Sequence, residues 1–152
     1  GRGWLADAVA GVPGLAAAIE ANGVSTHPYG AVGTNGADEE GTGAVAGQEA
    51  AAEAALGSIP PFYVTEDGYN LDLCGDDVGA CSESDQADEV GDAMDVFLSD
   101  DNVVGVWWFQ AWDYGTSDAW GLLDTPEQAD DSAGAVRPAF TTLSDLAQEY
   151  GQ

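Results

Sequence analysis

Apolar residues recur along this chain in two rhythms, one helical and one extended, and the two alternate. Leu5, Val9, Leu15 and Ile19 stand among alanines over residues 4–10 and 14–20, which predicts helix interrupted by Val12-Pro13-Gly14. Asn22-Gly23 stops that pattern. Gly23-Val24-Ser25-Thr26-His27 then reads as a short strand, which Pro28 ends by holding His27 extended and removing a backbone donor. Residues 30–47 are rich in Gly, carry the acidic trio Asp38-Glu39-Glu40 and predict a long loop. Gln48 to Leu56 has the composition of a helix, stopped by Gly57.

Phe62 to Thr65 is a buried-strand pattern that delivers Glu66 into the Gly-containing turn Glu66-Asp67-Gly68. A loop over 67–84 leads through the capping-type residues Ser82-Glu83-Ser84-Asp85 to a helix from about Gln86 to Leu98. Its apolar face is predicted to be Ala87, Val90, Ala93, Met94, Phe97 and Leu98. Val103 to Phe109 is a continuous apolar run, as in a strand covered on both faces. After a loop over 110–136, Arg137-Pro138 opens a last helix through Leu143, Leu146 and Ala147, with Pro near its first turn.

The order is helix, then β–α three times, with strand ends at His27, Glu66 and about Gln110. Alternating βα units imply a parallel sheet with helical crossovers, hence an α/β fold. Three such units suit either a small open sheet or the last part of a (β/α)8 barrel, whose usual length is about 250 residues. A flavodoxin-like domain is the weaker third option, because no Gly-rich phosphate-binding turn opens a helix here.

Composition narrows the setting. The chain has 152 residues, 28 acids, two Arg and no Lys, for a net charge of −26. Such a surface repels nucleic acid and anionic membranes. It suits adaptation to high salt, where a Debye length of about 3 Å at 1 M screens the self-repulsion. An acidic extracellular protein from a GC-rich genome is the competing reading, and an acidic metal-binding protein the third. No run of 18 apolar residues marks a membrane span. The opening Gly1-Arg2-Gly3-Trp4 shows neither an initiator Met nor a signal peptide and starts inside an expected helix, which suggests a fragment or a processed chain. Cys74 and Cys81 are expected to form a disulfide, implying an oxidising compartment, with two free thiols as the alternative. A zinc site would lack ligands, since His27 is the only His.

Three motifs in succession carry a resemblance: Val24-Ser25-Thr26-His27-Pro28-Tyr29-Gly30, Phe62-Tyr63-Val64-Thr65-Glu66, and Gly105-Val106-Trp107-Trp108-Phe109-Gln110-Ala111-Trp112-Asp113. Together they resemble the sixth, seventh and eighth strands of the retaining glycoside hydrolases of the (β/α)8-barrel clan, such as family-five cellulases and family-thirty-nine xylosidases. Ser82-Glu83-Ser84-Asp85-Gln86-Ala87, Trp120-Gly121-Leu122-Leu123-Asp124 and Arg137-Pro138-Ala139-Phe140 are similar to segments that follow strands seven and eight there.

The resemblance implies that residues 1–152 are a single partial domain, the C-terminal part of a catalytic barrel. It implies Glu66 as catalytic nucleophile, with His27 and Tyr29 bordering the sugar subsite and Tyr29 hydrogen-bonding the nucleophile. It implies an aromatic sugar platform near the end of the third strand: Trp108 first, then Trp107 and Trp112. Gln110 and Asp113 either bond sugar hydroxyls or brace the loop. The substrate is then an oligo- or polysaccharide, with no cofactor or metal, in a secreted or cell-surface protein. A retaining mechanism needs a second carboxyl about 5–5.5 Å from the nucleophile. In that clan it is a Glu following Asn, and no Asn-Glu pair occurs in this chain. The expectation is therefore half a catalytic pair, with a non-catalytic carbohydrate-binding domain as the alternative.

Overall fold

The computed structural model describes residues 4–29, 42–72, 81–113, 119–124 and 135–150. The elements are α1 (Trp4–Gly11), α2 (Leu15–Asn22), β1 (Val24–Thr26), α3 (Thr42–Leu56), β2 (Phe62–Asp67), α4 (Glu83–Leu98), β3 (Val103–Trp108) and α5 (Pro138–Tyr150). The protein is mixed α/β. Its three strands form one parallel sheet in the order β1-β2-β3, with β2 central.

Sequential order in a parallel sheet means that each crossover advances one strand in the same direction. Right-handed crossovers then place successive helices on one face of the sheet, and the packing follows that rule. Phe62 and Val64 are fully buried against Leu5 of α1, Val45 and Ala52 of α3, and Ala93 and Phe97 of α4. A second cluster joins Val90 and Met94 of α4 to Ala139 of α5 and Leu122, with Val106 and Trp108 packed against it. The opposite face carries Ser25 hydrogen-bonded to Thr65 at 2.6 Å, and Tyr63 beside Trp107, whose indole is half exposed. The expectation that both faces of the third strand are covered is corrected accordingly.

Two element readings also change. The third helix starts at Thr42 rather than Gln48, inside the stretch read as loop. Gly in a helix costs about 1 kcal/mol relative to Ala, but burying Val45 against the core offsets that penalty. On α4, Leu98 is exposed and Gln86 takes a fully buried place on the inner face. That helix opens with a reciprocal cap: Ser82 Oγ accepts from the Asp85 N–H, and Asp85 accepts from the Ser82 N–H at 2.7 Å.

Close approach requires a glycine between α2 and β1. Gly23, at φ +85° between α2 and β1, sits where any Cβ would run into the Pro61 carbonyl and the Tyr63 ring. Among the described residues no single helix is long and apolar enough to cross a membrane.

Candidate active site

Glu66 owes its position to an irregularity in β2. Phe62 and Val64 face the helices, so strict alternation would send Glu66 to the same side, into the core. Instead, Val64 pairs with Val106 and Asp67 with Trp108. Three residue steps on β2 thus span two on β3, an extra residue of the β-bulge kind, which re-aims side chains beside active sites. The bulge puts Asp67 on the buried side and leaves the Glu66 carboxyl 40% exposed.

Two side chains from the end of β1 converge on that carboxyl. The Tyr29 hydroxyl donates to Glu66 Oε2 at 3.0 Å, and His27 Nδ1 lies 3.4 Å from the same oxygen. Pro28 between them holds the extended exit from β1 that turns both toward β2. Burial raises the Tyr29 phenol well above its ordinary pKa, and the hydrogen bond to Glu66 and the charges of Glu66 and Asp67 raise it further. Tyr29 therefore keeps its proton and stays a donor to Glu66.

Aromatic rings enclose the Tyr29 side of the site. Trp120 meets the Tyr29 ring edge-on at 5.5 Å, Phe109 does so at 6.2 Å, and Trp120 and Phe109 touch each other at 5.8 Å. Such T-shaped pairs add about 0.5–1.5 kcal/mol each beyond the area they bury. Gly68 makes the closure possible, since a Cβ there would overlap the Phe109 carbonyl oxygen and press on the Trp120 ring. The Phe109–Gln110 peptide bond beside it is cis.

Asp67 is a second acid of different character. It is 8% exposed, and burial pushes its carboxyl up to about 7, against the N–H of Gly68, which lowers it, and with Glu89 of α4, which raises it. Its carboxyl interacts electrostatically with Glu89 of α4 on one side and with the Tyr29 phenol on the other.

The remaining expected residues separate. Trp108 packs against both core clusters with its indole nitrogen buried, on the helix side of β3. That is a core position and not a sugar platform; a Trp in an apolar run has no local signal for which face it takes. Trp107 faces the open side of the sheet, and Trp112 exposes 57% of its surface. The Gln110 side chain is partly buried with its amide nitrogen enclosed, while the Gln110 backbone carbonyl accepts from the Leu122 N–H at 3.1 Å. Asp113 braces the loop: its fully buried carboxylate takes Arg137 with both oxygens, at 3.1 and 2.6 Å, and also accepts the Gly121 N–H at 2.6 Å. It is committed to those partners and is no ligand for sugar. Cys74 lies outside the described residues; the Tyr69 hydroxyl donates to Cys81 Sγ at 2.9 Å, and no free thiol occurs among the described residues. Among the described residues no group of three or more His, Cys, Asp or Glu side chains is arranged to hold a metal ion.

Trp120, Phe109 and Arg137 are the residues whose place in the site sequence reasoning missed. The segment Trp120-Gly121-Leu122-Leu123-Asp124, which carries part of the resemblance, was the available signal. In class, then, this is an α/β protein with a one-sided parallel sheet and an acid–phenol–imidazole group at the carboxyl ends of its strands. The chain matches no family model and no curated protein sequence.

Proposed function

We propose that Glu66 is the nucleophile of a retaining glycoside hydrolase and that the three βα units are the C-terminal portion of its (β/α)8 barrel. The observation that carries the reading is the convergence of Tyr29 and His27 on one oxygen of a strand-end Glu. A nucleophilic carboxylate must be ionised and held in one orientation, and a phenol that does not itself ionise does both. In the reaction, Glu66 attacks the anomeric carbon as the C–O bond to the leaving group breaks, and water later releases the sugar. The fold supports the barrel: sequential parallel strands with helices on one face match a singly wound wall, and catalytic groups sit at the carboxyl ends of such strands. Sugars offer an apolar C–H face ringed by hydroxyls, so the exposed indole of Trp112 and the polar pair His27 and Tyr29 fit an oligo- or polysaccharide. A Cys74–Cys81 disulfide and secretion or surface display belong to the same reading.

The second reading is a carbohydrate-binding domain without catalysis. Two facts favour it: Asp67, the acid beside Glu66, is buried, and the chain has no Asn-Glu pair to supply the general acid.

An activated leaving group separates the readings, because dinitrophenolate departs without protonation. Incubation with dinitrophenyl 2-deoxy-2-fluoro-β-glycosides is expected to add one fluorosugar to Glu66, seen by peptide mass spectrometry and lost in Glu66→Gln. A folded chain that binds sugar by calorimetry but forms no adduct would leave the binding reading standing.

A further inference from the structure

We infer that Arg137 is a positioning residue for the Glu66 site, acting through the turn that carries Trp120. Among the described residues Arg137 is the only Arg or Lys, and its side chain is 5% exposed. In a chain with 28 acids and two Arg, this one serves a single turn. Its two terminal nitrogens hold Asp113 in a fork, the carboxylate of Asp124 and the carbonyl of Gly121, while Nε lies 3.7 Å from Glu83 Oε1.

Every one of these groups lies on a segment that frames Trp120. Asp113 precedes it in sequence, Gly121 and Asp124 follow it, and Glu83 opens α4, whose Gln86 reaches the Trp120 carbonyl. The Gly121 N–H returns to Asp113 Oδ1, the Arg137 N–H donates to the Leu122 carbonyl, and a Cβ on Gly121 would collide with Asp113. Fully buried Gln86 adds a second clamp, donating to the carbonyls of Tyr69 at 3.1 Å and Gly121 at 3.3 Å. The turn is thus held by buried polar contacts, and it sets the ring of Trp120 against Tyr29.

Tyr29 is the group that orients Glu66. A guanidinium fork fixes angle as well as distance, which a lysine ammonium does not. The path from Arg137 to the carboxylate is therefore a chain of direct contacts: guanidinium to turn, indole to phenol, phenol to Glu66 Oε2. The inference rests on the proposed function only for the task it gives Glu66; the contact chain itself is read without substrate.

The test uses the whole chain labelled with 3-fluorotyrosine and 19F NMR, with the Tyr29 signal assigned by its loss in Tyr29→Phe. Trp120→Ala sets the full displacement caused by removing the indole ring. Arg137→Lys is expected to move the Tyr29 signal by at least half of that, in the same sense. Ser99→Ala, which removes the hydroxyl bound to the Val96 carbonyl at the opposite end of α4 from Glu83 and Gln86, is expected to lower stability and leave the signal in place. Should Arg137→Lys fail to fold, Asp124→Asn removes one arm of the clamp and is expected to give a smaller shift of the same sign. A folded Arg137→Lys, or failing that a folded Asp124→Asn, with the Tyr29 signal at its wild-type position overturns the inference. Sugar labelling of Glu66 is a separate result, so failure of the glycosidase reading and failure of this one are told apart.

Discussion

Asp67 makes the pH dependence of folding a direct test of the bulge. The perturbation is Asp67→Asn, which keeps the shape of the side chain and removes its ionisation. In the folded protein, burial and, more weakly, Glu89 hold the Asp67 proton to about 7, against 3.8 for an unperturbed Asp. The folded state therefore binds a proton that the unfolded state has lost between pH 4 and 7. The Asp67 contribution is fully present below the unfolded value and disappears as pH rises to about 7. Three units correspond to on the order of 4 kcal/mol at 1.36 kcal/mol per unit, an upper bound because relaxation lets water reach the ionised group. The assay is urea unfolding followed by Trp fluorescence at pH 4, 5, 6, 7 and 8 in 3 M KCl, where the other acids are screened alike in both proteins. The stability of Asp67→Asn relative to wild type is expected to climb by a few kcal/mol from pH 4 to pH 8. A difference that stays flat across that range would refute the buried placement of Asp67, and with it the bulge that turns Glu66 outward.

Two further outcomes follow from the charge and the core. Melting temperature should rise between 0.1 M and 3 M KCl, because salt screens the repulsion among 28 acids facing two arginines; an unchanged or lower value in scanning calorimetry would contradict the high-salt reading. Phe97→Ala, which empties a fully buried site between α4 and β2, should cost about 3–5 kcal/mol in urea unfolding, and a loss under 1 kcal/mol would mean that this cluster is not the core.

Much of the chain could be read locally because its signals are local. Pro28, Gly57 and the Ser82–Asp85 box punctuate elements through their own backbone chemistry, and the apolar periods between them specify which elements form. The alternation of β and α, and Glu66 at the end of the central strand, were legible for that reason. Tyr29 beside Glu66 was legible only through resemblance, since the two are 37 positions apart.

What the tertiary structure alone decided is which way side chains face where the rules of period break. One added residue on β2 exchanges the fates of Glu66 and Asp67, and no propensity in Thr65-Glu66-Asp67 announces it, because the register is set by pairing with β3. Trp108 goes to the core and Trp120 to the site for the same kind of reason: each is placed by partners distant in sequence. Arg137 finds Asp113 across 24 positions, and Gln86 is buried because it completes hydrogen bonds for two turns that only folding brings beside α4. The sequence by itself determined the elements and the acid at the strand end; the contacts among those elements decided which rings surround it and which acid stays buried.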